Sequence, residues 1–270
     1  MGRPGVMPSA TDTMAPPDSF IARFGVDPKH VHALAWAGVV LIAASAVGLS
    51  TGPVSHAVTF ALLTDEQGPV EMLTFLCFAA ASVLSVRLAR EARRRQDARW
   101  VFIGYTAFAL FCAFAAMEEI SWGQSLLGFR GPHWLTDVNE QGETNLHNLP
   151  GIMDLNSAFV LAFGLTGLLA TRLNASARFR CVAMPGALAP LFALITGMAA
   201  VETFSDVVFL GYRFEALIGT LTEIVEMLGA IGCLTFAWLN RRMLHREWRH
   251  GSSRGEASYN DATRIDRAAA

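Results

Sequence analysis

Residues 101–124, VFIGYTAFALFCAFAAMEEISWGQ, contain no charged side chain before Glu118 and become polar immediately after it. A bilayer core about 30 Å thick requires roughly 20 apolar residues in a helix that crosses it. This stretch therefore predicts a membrane-spanning helix that ends in two carboxylates. The whole chain agrees, because 53% of its 270 residues are hydrophobic and only 16% are charged, whereas a soluble domain carries about 25% charged residues.

Five further apolar stretches complete the prediction of an all-α integral membrane protein, a bundle of six transmembrane helices. The spans are expected at residues 33–50, 69–88, 101–121, 152–171, 183–205 and 217–239. They define a six-helix membrane domain at residues 32–245, between disordered cytoplasmic tails at residues 1–31 and 246–270. The net charge of −2 gives no sign of a nucleic-acid partner, and the four cysteines lack metal-type spacing, which predicts free thiols.

The distribution of basic residues predicts the orientation of the bundle. Of the 21 Lys and Arg residues, all but Arg130 and Arg213 fall before the first span, in the loops near residues 87–99 and 172–180, or from Arg241 onward. Basic residues near helix ends remain on the cytoplasmic side of a membrane. Both termini are therefore expected in the cytoplasm, and the loops near residues 51–68, 122–151 and 206–216 outside it. We predict a location in a bacterial inner membrane.

The acidic residues of the spans all fall in the predicted outer half of the membrane. They are Glu66, Glu71, Glu118, Glu119, Asp154, Glu202, Asp206, Glu223 and Glu226. A carboxylate in lipid costs roughly 2.5 kcal/mol or more, so such residues usually face a bundle interior. For residues nearest the boundary, contact with water is an equally good explanation. For those one or two turns inside an apolar run, we expect convergence on a common site.

An internal echo favours three parallel helical-hairpin repeats in this bundle. The run AAMEEIS at residues 115–121 resembles AAVETFS at residues 199–205, and each is followed by an arginine, Arg130 or Arg213. A second echo pairs VEML at residues 70–73 with VEML at residues 225–228. Repeats of one orientation would place equivalent acids around one axis. Chance similarity within a membrane alphabet is the alternative.

The long loop after the third span is unusually rich in polar side chains. It contains NEQGETNLHN at residues 139–148, and a loop of this length in a compact protein is usually functional or disordered. We predict a substrate-binding set from this loop, its approach and the two outside arginines: Gln124, Arg130, Asn145, Asn148 and Arg213. We predict a catalytic set of acids with the loop's one imidazole: Glu118, Glu119, His147, Glu202 and Glu226.

Two kinds of chemistry suit such a site. Carboxylates with His147 are ligands for a divalent metal, and the oxygen-rich set favours Mg²⁺, Ca²⁺ or Mn²⁺, with Zn²⁺ if His56 or His133 joins. The predicted metal ligands are Glu71, Glu119, His147, Glu202, Glu223 and Glu226. Without a metal, two buried carboxylates can share a proton and act as acid and base. Arg130 and Arg213 would then bind a phosphate or carboxylate, or simply balance nearby charge.

The sequence favours a hydrolase or transferase that acts on a membrane lipid or lipid-linked substrate from the extracytoplasmic side. One rival is a cation- or proton-coupled transporter, for which the scarcity of acids in the inner helix halves is unfavourable. A second rival is a non-catalytic membrane subunit whose outer loop binds a partner protein. No nucleophile elbow, phosphate-binding glycine loop, HExxH or haem motif occurs in the chain.

Overall fold

The computed structural model describes residues 19–64, 68–95, 99–139, 142–146, 148–152, 155–173, 179 and 181–268, with side chains as far as Arg246. This part of the chain is helical and contains no β-strand. Its helices are α1 (Phe20–Phe24), α2 (Pro28–Ser50), α3 (Pro53–Thr64), α4 (Pro69–Arg94), α5 (Arg99–Glu119), α6 (Gln124–Leu127), α7 (His133–Thr136), α8 (Asn156–Arg172), α9 (Ala189–Val207) and α10 (Tyr212–Ala268).

Several of these helices have the length and composition of membrane spans. Among the described residues, five stretches are long and apolar enough to cross a membrane: Pro28–Ser50, Pro53–Arg94, Arg99–Glu119, Gly186–Val207 and Tyr212–Arg246. They overlap five of the six predicted spans. The remaining predicted span corresponds to α8, whose 17 residues extend roughly 25 Å at 1.5 Å per residue. The structure thus agrees with an all-α membrane protein.

Local sequence signals explain where the long helices begin. Asp27 precedes α2, and its carboxylate accepts a hydrogen bond from the backbone N–H of Lys29 at 2.9 Å, while Pro28 occupies the first helical turn. Pro69 likewise begins α4 after Gly68. Proline suits these positions because its fixed φ is helical and its missing N–H would have no intrahelical partner there.

Helix α3 occupies residues that the sequence analysis assigned to an outer loop. Its 12 residues are mostly apolar but extend only roughly 18 Å, too short to cross a bilayer alone. The chain turns at Gly52, where φ is 139°, and α3 packs on α2. Contact is close because a Cβ at Gly48 would lie 2.4 Å from Thr59 Oγ1. The predicted loop at residues 51–68 therefore contains a helix.

Part of the predicted N-terminal tail is folded against α10. Phe24 of α1 is buried, and its carbonyl accepts a hydrogen bond from Arg242 Nε at 3.0 Å. Arg246 Nη1 donates to the carbonyl of Ala22 at 3.0 Å. Cations near a helix C-terminus neutralise its exposed carbonyls, so residues 20–24 have an ordered position that composition alone did not predict. At the other end, α10 continues to Ala268, through most of the segment predicted as a disordered tail.

The bundle is built from two helical hairpins joined by α10. Helix α4 packs along α5 and α10, α8 packs along α9, and α9 also contacts α10. Small residues allow the α8–α9 contact, since a Cβ at Gly164 would lie 3.0 Å from the backbone nitrogen of Thr196. Close backbone approach at glycine is a common mode of helix packing in membranes.

The carboxylates within the predicted spans of α4 and α10 lie far along each helix from the arginines that follow those spans. At 1.5 Å per residue, Glu71 lies roughly 24 Å from Arg87 along α4, and Glu226 lies roughly 22 Å from Arg241 along α10. We call the end of the bundle that holds Glu71 and Glu226 the acidic end, and the end that holds Arg87 and Arg241 the basic end. The separation is close to the thickness of a bilayer core.

Candidate functional site

Three helices direct carboxylates toward one another at the acidic end. The carboxylate of Glu119, at the end of α5, interacts electrostatically with Glu226 and Glu223 of α10, then with Glu71 of α4 and with its neighbour Glu118. Glu223 in turn interacts with Glu226 and Glu71. These electrostatic interactions link residues that are far apart in sequence, so the fold brings them into one group. We call Glu71, Glu119, Glu202, Glu223 and Glu226 the acidic cluster.

Helix α9 adds Glu202 to this cluster. Glu202 interacts with Glu226 and with Asp206 one turn further along α9, and it lies near the hydroxyl of Thr222 on α10, which donates to the carbonyl of Ile218 at 3.2 Å. Asp206 itself is exposed and accepts a hydrogen bond from Ser157 Oγ at 2.5 Å. The cluster therefore includes residues from α4, α5, α9 and α10.

Asn156 is a site residue that the sequence analysis did not select. It opens α8, and its Nδ2 donates a hydrogen bond to Glu226 Oε1 at 3.0 Å. A neutral donor can hold a carboxylate in place without cancelling its charge. The sequence could have indicated Asn156, because it is an amide at the start of a predicted membrane span, at the same end of the bundle as the acids.

Four carboxylates of the acidic cluster form no ion pair with Lys or Arg within the described part of the chain: Glu119, Glu202, Glu223 and Glu226. Buried charges in proteins are normally paired or bound to a cation. Arg130 and Arg213 are both exposed, and their proposed contact with a substrate remains a prediction.

A second polar group lies beside the cluster and involves Glu118. Its Oε1 accepts a hydrogen bond from Trp122 Nε1 at 2.5 Å, and its Oε2 accepts one from the backbone N–H of Leu146 at 2.6 Å. Glu118 is buried, with 7% of its surface exposed. Consecutive residues of α5 therefore face different partners, because Glu118 binds the following loop while Glu119 faces the acidic cluster.

Glu143 organises the interior of that loop. Its Oε2 accepts hydrogen bonds from Ser121 Oγ at 2.7 Å and from Asn148 Nδ2 at 3.4 Å, and also from Asn145 Nδ2. Asn139 Nδ2 donates to Asn145 Oδ1 at 2.9 Å. All five side chains are buried. A network of this kind fixes a loop that has little apolar surface to bury.

Gln124 also forms a hydrogen bond with this loop. Its Oε1 accepts a hydrogen bond from the backbone N–H of Thr144 at 2.8 Å, while Thr144 Oγ1 donates to the carbonyl of Ser121. In this structure, the predicted substrate-binding residues Gln124, Asn145 and Asn148 thus form hydrogen bonds within the loop and its approach. His147, predicted as catalytic and as a metal ligand, lies outside the described residues, as do Glu66 and Asp154.

The backbone between α5 and α6 is strained. Ser121 and Trp122 have φ of 48° and 57°, and Gly123 has φ of 92°. The left-handed region costs roughly 1–2 kcal/mol for a residue with a Cβ. Such a conformation persists only where surrounding contacts hold it, and it is concentrated at functional sites. Here the hydrogen bonds of Ser121 and Trp122 to Glu143 and Glu118 supply those contacts.

An apolar layer separates the acidic cluster from the basic end. It contains three cysteines from the helices that carry the cluster, Cys77 of α4, Cys112 of α5 and Cys233 of α10, packed with alanine and phenylalanine. Cys112 precedes Glu119 by seven residues and Cys233 follows Glu226 by seven, so thiols and acids share helix faces. None of the four cysteines forms a disulfide bond, in agreement with the prediction.

The arrangement permits proton transfer between carboxylates or compensation of their charge by a cation. Within the described residues, no three side chains of His, Cys, Asp or Glu are grouped closely enough to hold a metal ion, and His147 is not among them. No family model, curated protein or solved structure matches this chain. The side chains themselves are therefore the basis for a functional proposal.

Proposed function

We propose that this protein is a membrane-embedded hydrolase or transferase that acts on a lipid or lipid-linked substrate at the extracytoplasmic leaflet of a bacterial inner membrane. The observation that supports this proposal is the convergence of Glu119, Glu223 and Glu226 without a cationic partner among the described residues. Assembling like charges at a membrane depth is costly. A protein of marginal stability is expected to retain such a group for chemistry rather than for folding.

The proposed topology has six membrane spans, with α8 as the sixth, and both termini in the cytoplasm. Its support is the separation of charge: the arginines in the last turns of α4 and those from Arg241 onward in α10 lie at one end, and the acidic cluster lies at the other. Basic residues mark the cytoplasmic side. The cluster then lies near the outer leaflet, where a lipid headgroup is within reach of the carboxylates.

Glu119 and Glu226 are the proposed acid and base. Glu119 and Glu226 interact electrostatically, and paired carboxylates divide the roles of proton donor and proton acceptor. One would remove the proton from water or an acceptor hydroxyl, and the other would protonate the leaving group. Arg130 and Arg213 are proposed to bind a phosphate of the substrate.

A divalent metal is the proposed alternative source of charge compensation. Mg²⁺, Ca²⁺ or Mn²⁺ suits a carboxylate set, and Zn²⁺ suits one completed by His147. Such an ion would polarise the substrate or lower the pKa of bound water. Binding would require the side chains of Glu119, Glu223 and Glu226 to rotate toward a common point.

A different feature distinguishes each of the two rival functions from the proposed one. A cation- or proton-coupled transporter needs a path to the basic end, and the cysteine-rich apolar layer stands between the cluster and that end. A non-catalytic subunit would use the 122–151 loop to bind a partner protein, and would not need the charge of Glu119 or Glu226.

The experiment combines metal analysis of the purified protein with complementation of a strain that lacks the gene. Glu119→Gln and Glu226→Gln keep shape and delete charge, and Glu215→Gln, on the first turn of α10 outside the cluster, is the matched control. The proposal predicts loss of complementation for the first two variants and normal complementation for the control. Full complementation by both cluster variants at normal expression would contradict it.

A further inference from the structure

We propose that α3 is a re-entrant helix embedded in the extracytoplasmic leaflet, where its exposed apolar face contacts the acyl chains of membrane lipids. The proposed topology places the turn at Gly52 on the outer side, and the placement of α3 depends on that topology but on no reaction or metal. The connection between α2 and α4 then belongs to the membrane domain instead of projecting into water.

The two faces of α3 are the reverse of those expected for a helix in water. Val54, Val58 and Leu62 follow one another at intervals of one helical turn and are 76%, 56% and 50% exposed. Thr59 is half-buried and approaches Gly48 of α2. A helix at the surface of a soluble protein buries its apolar face and exposes its polar face. Small and hydroxyl-bearing residues at the helix contact, with apolar side chains outside, are instead typical of helices in lipid.

Beyond its first turn, α3 has no side chain that requires water. Residues 57–64 contain no ionisable group, and His56 lies in the first turn of the helix. The hydroxyl of Thr64 donates a hydrogen bond to the carbonyl of Phe60 at 2.9 Å, so it is satisfied within the helix. Polar groups in a membrane need such partners inside the protein. An embedded α3 places His56 near the lipid headgroups and the rest of the helix among acyl chains.

The positions of the neighbouring helices require the chain to return into the bundle after α2. A Cβ at Gly38 of α2 would lie 2.8 Å from Leu228 Cδ1 of α10, so these two residues have similar depths. Ser50, at the end of α2, lies roughly 18 Å beyond Gly38. Glu71, in the first turn of α4, interacts with Glu223, which lies roughly 8 Å from Leu228 along α10. Between Ser50 and α4 the chain therefore returns by roughly 10–18 Å.

Helix α3 is the segment that makes this return. Its 12 residues extend roughly 18 Å, and it contacts α2, α4 and α10. Val54, near its start, is exposed, whereas Leu63, near its end, is buried in the same hydrophobic core as Leu221 of α10. Helix α3 therefore runs from the outer surface into the bundle.

Membrane lipid is the occupant that fits the exposed face of α3. That face continues the apolar surface of α2, where Val40 and Val47 are also exposed. Residues 40–64 contain no Asp, Glu, Lys or Arg. In water, this continuous apolar surface would favour aggregation. In the membrane, the lipid that surrounds α2 also covers α3.

The test measures the medium around α3 with single nitroxide labels. Val54→Cys, Val58→Cys and Leu62→Cys are made in a protein whose native cysteines are replaced by alanine, and are reconstituted in vesicles of phosphatidylethanolamine and phosphatidylglycerol. Collisions of each label with oxygen, which dissolves in hydrocarbon, are compared with collisions with a nickel chelate, which stays in water. Val40→Cys on α2 is the lipid control, and Asp137→Cys, at an exposed position of the outer loop, is the water control.

An embedded α3 predicts a gradient of depth along the helix. The ratio of oxygen to chelate collisions should rise from Val54→Cys to Leu62→Cys. At Leu62→Cys it should exceed the ratio of Asp137→Cys about tenfold, because hydrocarbon excludes a polar complex. A ratio as low as that of Asp137→Cys at all three positions would place α3 in water and overturn the proposal. Few collisions with either reagent would mean that protein, such as a second copy of this chain, covers the face, and would overturn it as well.

A pair of unlabelled variants tests the same proposal if the labels disturb folding. Val58→Leu keeps an apolar side chain against lipid, whereas Val58→Arg places a charge there. Because a charge in lipid is costly, Val58→Arg should lower Tm in detergent by about 5 °C or more relative to Val58→Leu. Equal Tm values would contradict the embedding of α3. Neither measurement uses a substrate or a metal, so failure of the enzymatic proposal in the complementation test would leave the result on α3 unchanged.

Discussion

Replacement of Glu226 by Gln is expected to raise stability while it abolishes function. Glu226 interacts with Glu119, Glu202 and Glu223, and Asn156 donates one hydrogen bond to it. Two like charges about 4 Å apart repel by about 4 kcal/mol at an effective dielectric constant near 20, and by about half as much at twice that distance. Gln keeps an oxygen that accepts from Asn156, so repulsion is removed at little cost.

The net gain in stability should be about 1–3 kcal/mol, less than the full repulsion, since a neutral Gln accepts a weaker hydrogen bond from Asn156 than a carboxylate does. For a protein of this size that corresponds to a rise in Tm of about 2–10 °C. Loss of a catalytic acid or base should reduce the rate about 10²-fold or more. Thermal unfolding in detergent and complementation measure the two effects on the same variant.

The combination of a raised Tm and lost function is what separates a site residue from a structural one. Glu215→Gln, on the same helix but outside the cluster, should leave function unchanged. Its stability should change by no more than about 0.5 kcal/mol, as is usual away from buried networks. If Glu226→Gln instead lowers Tm, and function falls only in proportion to the folded protein, Glu226 is structural and the reasoning is refuted.

Three further predictions concern packing, the N-terminal helix and topology. Gly164→Ala should cost about 1–3 kcal/mol of stability, measured by thermal unfolding, because its Cβ would meet the backbone of Thr196 at 3.0 Å; a normal Tm would contradict the close α8–α9 contact. Gly25→Ala should increase proteolysis of α1 at Arg23, because φ is 67° there and Arg246 fills the space; unchanged proteolysis would contradict the docking of α1 on α10. A reporter fused after residue 250 should be active only in the cytoplasm and one placed at residues 132–142 only outside; the reverse would remove the common outer face of the acids.

Hydrophobic stretches located the long helices well because their signal is local. The apolar run before Glu118 predicts α5, and the run before Arg241 predicts the membrane part of α10. Helix α3 was missed because 12 apolar residues fall short of a span and were assigned to a loop. Helix α1 was missed because its position depends on Arg242 and Arg246, more than 200 residues away.

The convergence of acids was predictable from topology, but their individual partners were not. Placing Glu119, Glu202 and Glu226 at one end of the bundle required only the positions of helix ends. The separate orientation of Glu118 toward Trp122 and Leu146 depends on side-chain rotamers and on the strained turn, which no periodic pattern records. The catalytic and metal-binding roles of the acidic cluster remain predictions, and so does the three-hairpin repeat.

The most direct test of the shared site is a cross-link between Glu119→Cys and Glu226→Cys in a protein whose four native cysteines are replaced by alanine. In native membranes, a bifunctional thiol reagent with a spacer about as long as two glutamate side chains should join this pair, because the carboxylates of Glu119 and Glu226 interact electrostatically. The control pair Glu119→Cys with Arg241→Cys, at opposite ends of the bundle, should stay unlinked. Failure of the reagent to join the first pair, with both thiols reactive and the protein folded, would contradict the central claim that α5 and α10 bring their carboxylates into one site.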